Sequence, residues 1–93
     1  MKRELLPSAA FMRMSRRLSK KRPGDAEDLL AAMELMTEDI FHPALRTHKL
    51  KGKLAASWAC SAGYDLRIVF QLVSHNGHEA ILLEAVGMHD EVY

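Results

Sequence analysis

Three side chains in this 93-residue sequence have types and positions that could do chemistry. His48 opens the run His48-Lys49-Leu50-Lys51-Gly52-Lys53-Leu54. Arg67 sits inside the hydrophobic stretch Tyr64 to Val73. His89 lies two residues beyond Gly87 in the closing run Gly87-Met88-His89-Asp90-Glu91-Val92-Tyr93. An arginine in an apolar stretch is costly unless it is paired or faces a groove. Asp65 or Glu84 could pair with it; otherwise its planar guanidinium is free to take a phosphate.

These groups together fit cleavage of RNA without a metal. The ribose 2′-hydroxyl attacks the neighbouring phosphorus. One group takes its proton and another protonates the departing 5′-oxygen. Histidine suits both tasks because imidazole titrates near neutrality. A fixed cation stabilises charge on the phosphate oxygens, and an aromatic ring such as Tyr93 can stack on an unpaired base. His48, Arg67, His89 and Tyr93 can fill those roles, with Lys49, Lys51 and Lys53 on flanking phosphates. Alone, each histidine reads as an exposed surface residue, and the lysines as a solvated loop.

The charge distribution narrows the search. Net charge is only +1, so bulk charge selects no partner. Residues 1–24 hold eight basic side chains and one acidic, whereas residues 25–41 hold six acidic and none basic. Residues 42–67 hold five basic (Arg46, Lys49, Lys51, Lys53, Arg67) and one acidic, and that block is where a phosphate partner is expected.

Several classes drop out. The sequence has no Gly-rich phosphate loop, no CxxC and no HExxH. No pair among its five histidines has zinc-site spacing. His75 and His78, around Asn76-Gly77, read as exposed loop residues. Neither a metal nor a cofactor is expected. The lone Cys60 cannot form an internal disulfide. No apolar run is long enough for a membrane span, and Leu5-Leu6 followed by Pro7 does not read as a signal peptide. A cytoplasmic protein without membrane contact is the expectation.

Periodicity supplies the elements that must hold these residues. Residues 1–93 read as one domain. Lys2 to Leu6 can be an edge strand. Ser8 can cap a helix over about residues 8–21, with Ala10, Met14 and Leu18 on one stripe and Arg13, Arg16, Arg17, Lys20 and Lys21 opposite. Pro23-Gly24 reads as a break. Asp25 then caps a second helix with Leu29, Leu30, Met33, Met36 and Ile40 on its apolar face, ended by Pro43. Alternation returns at Leu54 to Cys60, Tyr64 to Val73 and Ala80 to Val86, with turns at Ser61-Ala62-Gly63 and Asn76-Gly77 and a stop at Gly87. The fold class is α+β: a short N-terminal strand and a helical hairpin packed on an antiparallel β-meander. The hairpin would cover the face of Leu66, Ile68 and Phe70. Asp65, Arg67 and Gln71 would then line an open, shallow groove.

The run His48-Lys-Leu-Lys-Gly-Lys-Leu, then Trp58-Ala-Cys, Gly63-Tyr-Asp-Leu-Arg67-Ile-Val-Phe and Gly-Met-His89-Asp-Glu-Val-Tyr93 resembles the RelE/YafQ family of toxins from type II toxin–antitoxin systems. The order of elements agrees along almost the whole chain. The resemblance implies a RelE-like fold and an endoribonuclease that cuts mRNA in the ribosomal A site and is neutralised by a cognate antitoxin. It implies a phosphate-stabilising role for Arg67, a general acid at His89, an active-site aspartate and histidine at Asp65 and His48, and a base-stacking ring at Tyr93. His48 is the expected general base, with Asp65 positioning or sharing the proton. Where RelE-like members carry two strand lysines, this sequence has Trp58 and Cys60. A gyrase-poisoning toxin on the same scaffold and an inactive binding module are the other functions such a fold could carry.

Overall fold

Two helices form because two apolar stripes are interrupted only once. In the computed structural model, which describes residues 2–92, α1 spans Ala9–Lys21 and α2 spans Pro23–Glu38. The Ser8 hydroxyl caps α1 by accepting from the Phe11 N–H at 3.0 Å, and it donates to the Glu84 carbonyl at 3.2 Å. Lys20 and Lys21 fall in the last turn of α1, where cations suit the helix dipole. Pro23 does not break the hairpin as its sequence suggests. It occupies the first turn of α2, where its missing N–H costs nothing, and Arg22 alone is the link. Asp25 therefore sits in the first turn rather than at the cap, paired to Arg22 at 2.9 Å. Ile40 lies beyond the helix end but is still fully buried.

The sheet has five strands: β1 (Glu4–Pro7), β2 (His48–Lys49), β3 (Trp58–Ala62), β4 (Leu66–His75) and β5 (His78–Met88), in the order β1-β5-β4-β3-β2. β3, β4 and β5 form the expected antiparallel meander. β1 adds parallel to β5, so the sheet is mixed. The strand at His48–Lys49, two residues long, is too short to show a period in the sequence. Gly87 is not a stop: β5 runs through it to Met88, and a four-residue helix α3 (His89–Val92) follows.

Alternation sorts the sheet's faces. Cys60, Ala62, Leu66, Ile68, Phe70, Ile81, Leu83 and Val86 join Phe11, Leu18, Leu29 and Met36 of the helices in one buried cluster. The buried residues Ala59, Val69 and Ala80 stand outside that cluster, on the other face. The helices thus cover one side and leave the Arg67 side uncovered by them. No helix among the described residues is long and apolar enough to cross a membrane.

Candidate functional site

Register fixes which side chains share the open face. Arg67 pairs with Ser61 on β3 and with Gly87 on β5. Two residues along, Val69 pairs with Ala59, and Ala59 with His48. Cross-strand partners share a face, so His48, Arg67 and Gly87 stand on one side in that order across the sheet. At ordinary strand spacing and rise, His48 and Arg67 are about 12 Å apart between Cα atoms, and His48 and Gly87 about 16 Å. His89 follows two residues after Gly87, at the same end of the sheet as Arg67, and is exposed.

Arg67 is half-buried, and its Nη1 donates to the Leu66 carbonyl at 3.0 Å. Among the described residues no carboxylate lies within ion-pair distance of it. Neither suggested partner is engaged with it. Asp65 is exposed in the turn Gly63 to Asp65, before β4 begins, and not on the strand face beside Arg67 as alternation implied. Gly63 adopts φ +79° there, the left-handed conformation that a tight turn needs. Burial pushes the Cys60 thiol on the covered face up to about 12, and the Arg67 charge partly opposes that shift.

His48 is exposed, with Nδ1 2.9 Å from the Arg46 carbonyl oxygen. A carbonyl can only accept, so in the neutral ring Nδ1 carries the hydrogen and Nε2 keeps its lone pair. Arg46 adopts a left-handed backbone (φ 52°), which turns its carbonyl into this contact. Lys51 and Lys53 are exposed on the connection between β2 and β3. Lys49 is set apart from them. It pairs with Trp58 on the other face, and its Nζ lies 5.9 Å above the Trp58 ring, which in turn meets Phe41 edge-on at 5.7 Å. Tyr93, the expected stacking ring, lies outside the described residues.

Glu84 is the residue that sequence reasoning treated only as a possible partner for Arg67. It is the extra residue of a β-bulge, since Val69 pairs with Ala85 and Phe70 with Leu83. Its Oε1 accepts from Ser57 Oγ at 2.6 Å and its Oε2 from Gln71 Nε2 at 3.2 Å. The carboxylate therefore reaches across the open face from β5 to Ser57, the residue just before β3. A bulge leaves no clear sequence mark, and bulges are common beside functional sites. Among the described residues, no group of three or more His, Cys, Asp or Glu could hold a metal ion.

The sheet face not covered by the helices thus carries Arg67 between His48 and the strand that leads to His89, on a small α+β fold. Solved structures share this fold. A metal-bound toxin from Helicobacter pylori is 26% identical, with full coverage of both chains and a TM-score of 0.77. YafQ in the E. coli DinJ–YafQ toxin–antitoxin complex is 18% identical, covering 100% of this chain and 99% of that one, with a TM-score of 0.76. YoeB from a Staphylococcus aureus dimer is 12% identical, covering 96% and 99%, with a TM-score of 0.74. This chain therefore has the fold of the RelE/YafQ-type toxins, in agreement with the sequence resemblance. No family model matches the sequence, and no curated protein matches it.

Proposed function

We propose that this chain is the toxin of a toxin–antitoxin pair and that it cleaves mRNA on the open face of its sheet, in the cytoplasm and at the ribosomal A site. The observation that carries the reading is Arg67: a half-buried guanidinium without a carboxylate partner among the described residues, standing between His48 and the strand that leads to His89. Displacement at phosphorus runs in line, so the base and the acid must stand on opposite sides of the phosphate, with the stabilising cation between them.

His48 Nε2 takes the 2′-hydroxyl proton. The 2′-oxygen forms its bond to phosphorus while the bond from phosphorus to the 5′-oxygen breaks. His89 gives a proton to that 5′-oxygen. The products are a 2′,3′-cyclic phosphate and a 5′-hydroxyl. Arg67 holds the charge that builds on the non-bridging oxygens. Asp65 is not beside His48 as expected, since His48 stands level with Val69; it lies in the turn before Leu66, at the same end of the sheet as His89, and there it orients that imidazole. Arg46, Lys51 and Lys53 hold flanking phosphates, Lys49 adds charge beside Trp58, and Tyr93 stacks on a base.

The DinJ–YafQ complex supports an antitoxin as the partner. The basic face of α1 suits an acidic segment of such a partner. Pulse labelling of growing cells after induction tests the function. Early loss of protein synthesis is expected, with rescue by the cognate antitoxin. Early loss of DNA synthesis instead would point to gyrase poisoning, and unaffected growth to an inactive module.

A further inference from the structure

Glu84 presents a puzzle for any RNA-binding surface, because it sets a negative charge where a polyanion is to lie. Its position is not incidental. The bulge turns it onto the open face, and Ser57 Oγ (2.6 Å) and Gln71 Nε2 (3.2 Å) fix both oxygens. Ser57 is buried, while Glu84 and Gln71 are half-exposed. The carboxylate lies two to three residues along the sheet from Arg67, about 7–10 Å by strand rise. That is the reach of a single nucleotide.

We infer that Glu84 and Gln71 form a base-reading site that prefers a base carrying an exocyclic amino group. An ionised carboxylate only accepts hydrogen bonds and has about four lone-pair directions. Ser57 and Gln71 fill one on each oxygen, which leaves acceptor capacity facing outward. Gln71 turns its nitrogen to Glu84, so its own Oε1 is a further acceptor. The charge repels phosphates and leaves the backbone path to Arg67 and the lysines. What can approach is a hydrogen-bond donor on a base edge. Adenine, cytosine and guanine each present an exocyclic amino group, whereas the one edge donor of uracil, N3–H, is flanked by two carbonyl oxygens that would meet the acceptors of Glu84 and Gln71. Glutamate accepting from a cytosine amino group is an established form of such readout.

This inference rests on the nuclease reading, but its test does not need cleavage. Short 2′-O-methyl oligomers of A, C and U cannot be cut, and their binding to the full chain can be followed by fluorescence anisotropy. The A and C oligomers should bind at least about fivefold more tightly than the U oligomer. Glu84→Gln, which replaces one acceptor with a donor, should bring the ratio toward one, and Gln71→Ala should reduce it part-way; thermal melts check that both variants are folded. Equal binding of all three oligomers, no binding of any, or an unchanged ratio in Glu84→Gln overturns the inference. Discrimination by a protein that leaves the all-ribose oligomers intact on the ribosome would sink the nuclease reading and leave the base-reading site standing.

Discussion

Replacing Arg67 with alanine separates chemistry from folding better than any other single change. In the folded chain the guanidinium makes one hydrogen bond, to the Leu66 carbonyl, and no ion pair among the described residues. Losing that bond costs about 0.5–1.5 kcal/mol, which lowers Tm by roughly 4–8 °C per kcal/mol for a domain of this size. The protein should therefore stay folded at 25 °C. The effect on rate is of another order. Removing one preorganised donor from a developing oxyanion costs about 2.7–4 kcal/mol, or 10²–10³ in rate. Single-turnover cleavage of ribosome-bound mRNA, with saturating enzyme, reads this directly, and a melt of the same sample reads the fold. Arg67→Lys keeps the charge but loses the planar fork, so it should recover only part of the rate. If Arg67→Ala cuts within about threefold of the parent, or if its loss of rate simply tracks unfolding, the guanidinium has no place in the reaction.

Other consequences are structural. Ser8→Ala removes both the α1 cap and the tie to the Glu84 carbonyl; a loss of about 1–2 kcal/mol in urea unfolding is expected. Gly63→Ala places a side chain on a residue with φ +79°. The Cβ would also fall 2.6 Å from Asp28 Oδ2, but that carboxylate ends an exposed side chain and can swing away. The cost, about 1–2 kcal/mol, is thus a backbone cost, and Asp28→Ala should not rescue it. Burial raises the Cys60 thiol from 9.0 to about 12, so the unfolded chain gives up this proton first. Its contribution to stability is complete below about pH 9 and is lost as pH climbs toward 12. The slope of urea midpoint against pH in that window should be shallower in Cys60→Ala, and iodoacetamide should label native Cys60 only as fast as the chain opens.

The parts of this fold with strong periodicity are legible in the sequence. The alternation Leu66, Ile68, Phe70 against Arg67, Val69, Gln71 assigns the faces of β4 correctly, and the stripe Ala10, Met14, Leu18 marks α1, two of its three members packing on the core. Punctuation is less reliable. Pro23 is ambiguous because the same residue breaks a helix or starts one, and Gly87 because a strand can run through a single glycine. β2 was invisible, since two residues carry no period, although His48 owes its face to that pairing. Alternation places Asp65 on the strand because it does not register where a turn ends. The Glu84 network could not be seen at all. It depends on a bulge that sends one carboxylate across β4 to a serine 27 positions earlier in the chain.

Attack by the ribose 2′-hydroxyl dictates the ends that cleavage leaves. Cleaved mRNA should end in a 2′,3′-cyclic phosphate with a 5′-hydroxyl on the partner fragment. A message with a single 2′-deoxy nucleotide at the cut position should survive intact at that site. Continued cutting at the deoxy position, or fragments ending in a plain 3′-hydroxyl and a 5′-phosphate, would mean that water and not the ribose attacks phosphorus, and the roles given to His48, Arg67 and His89 would be wrong.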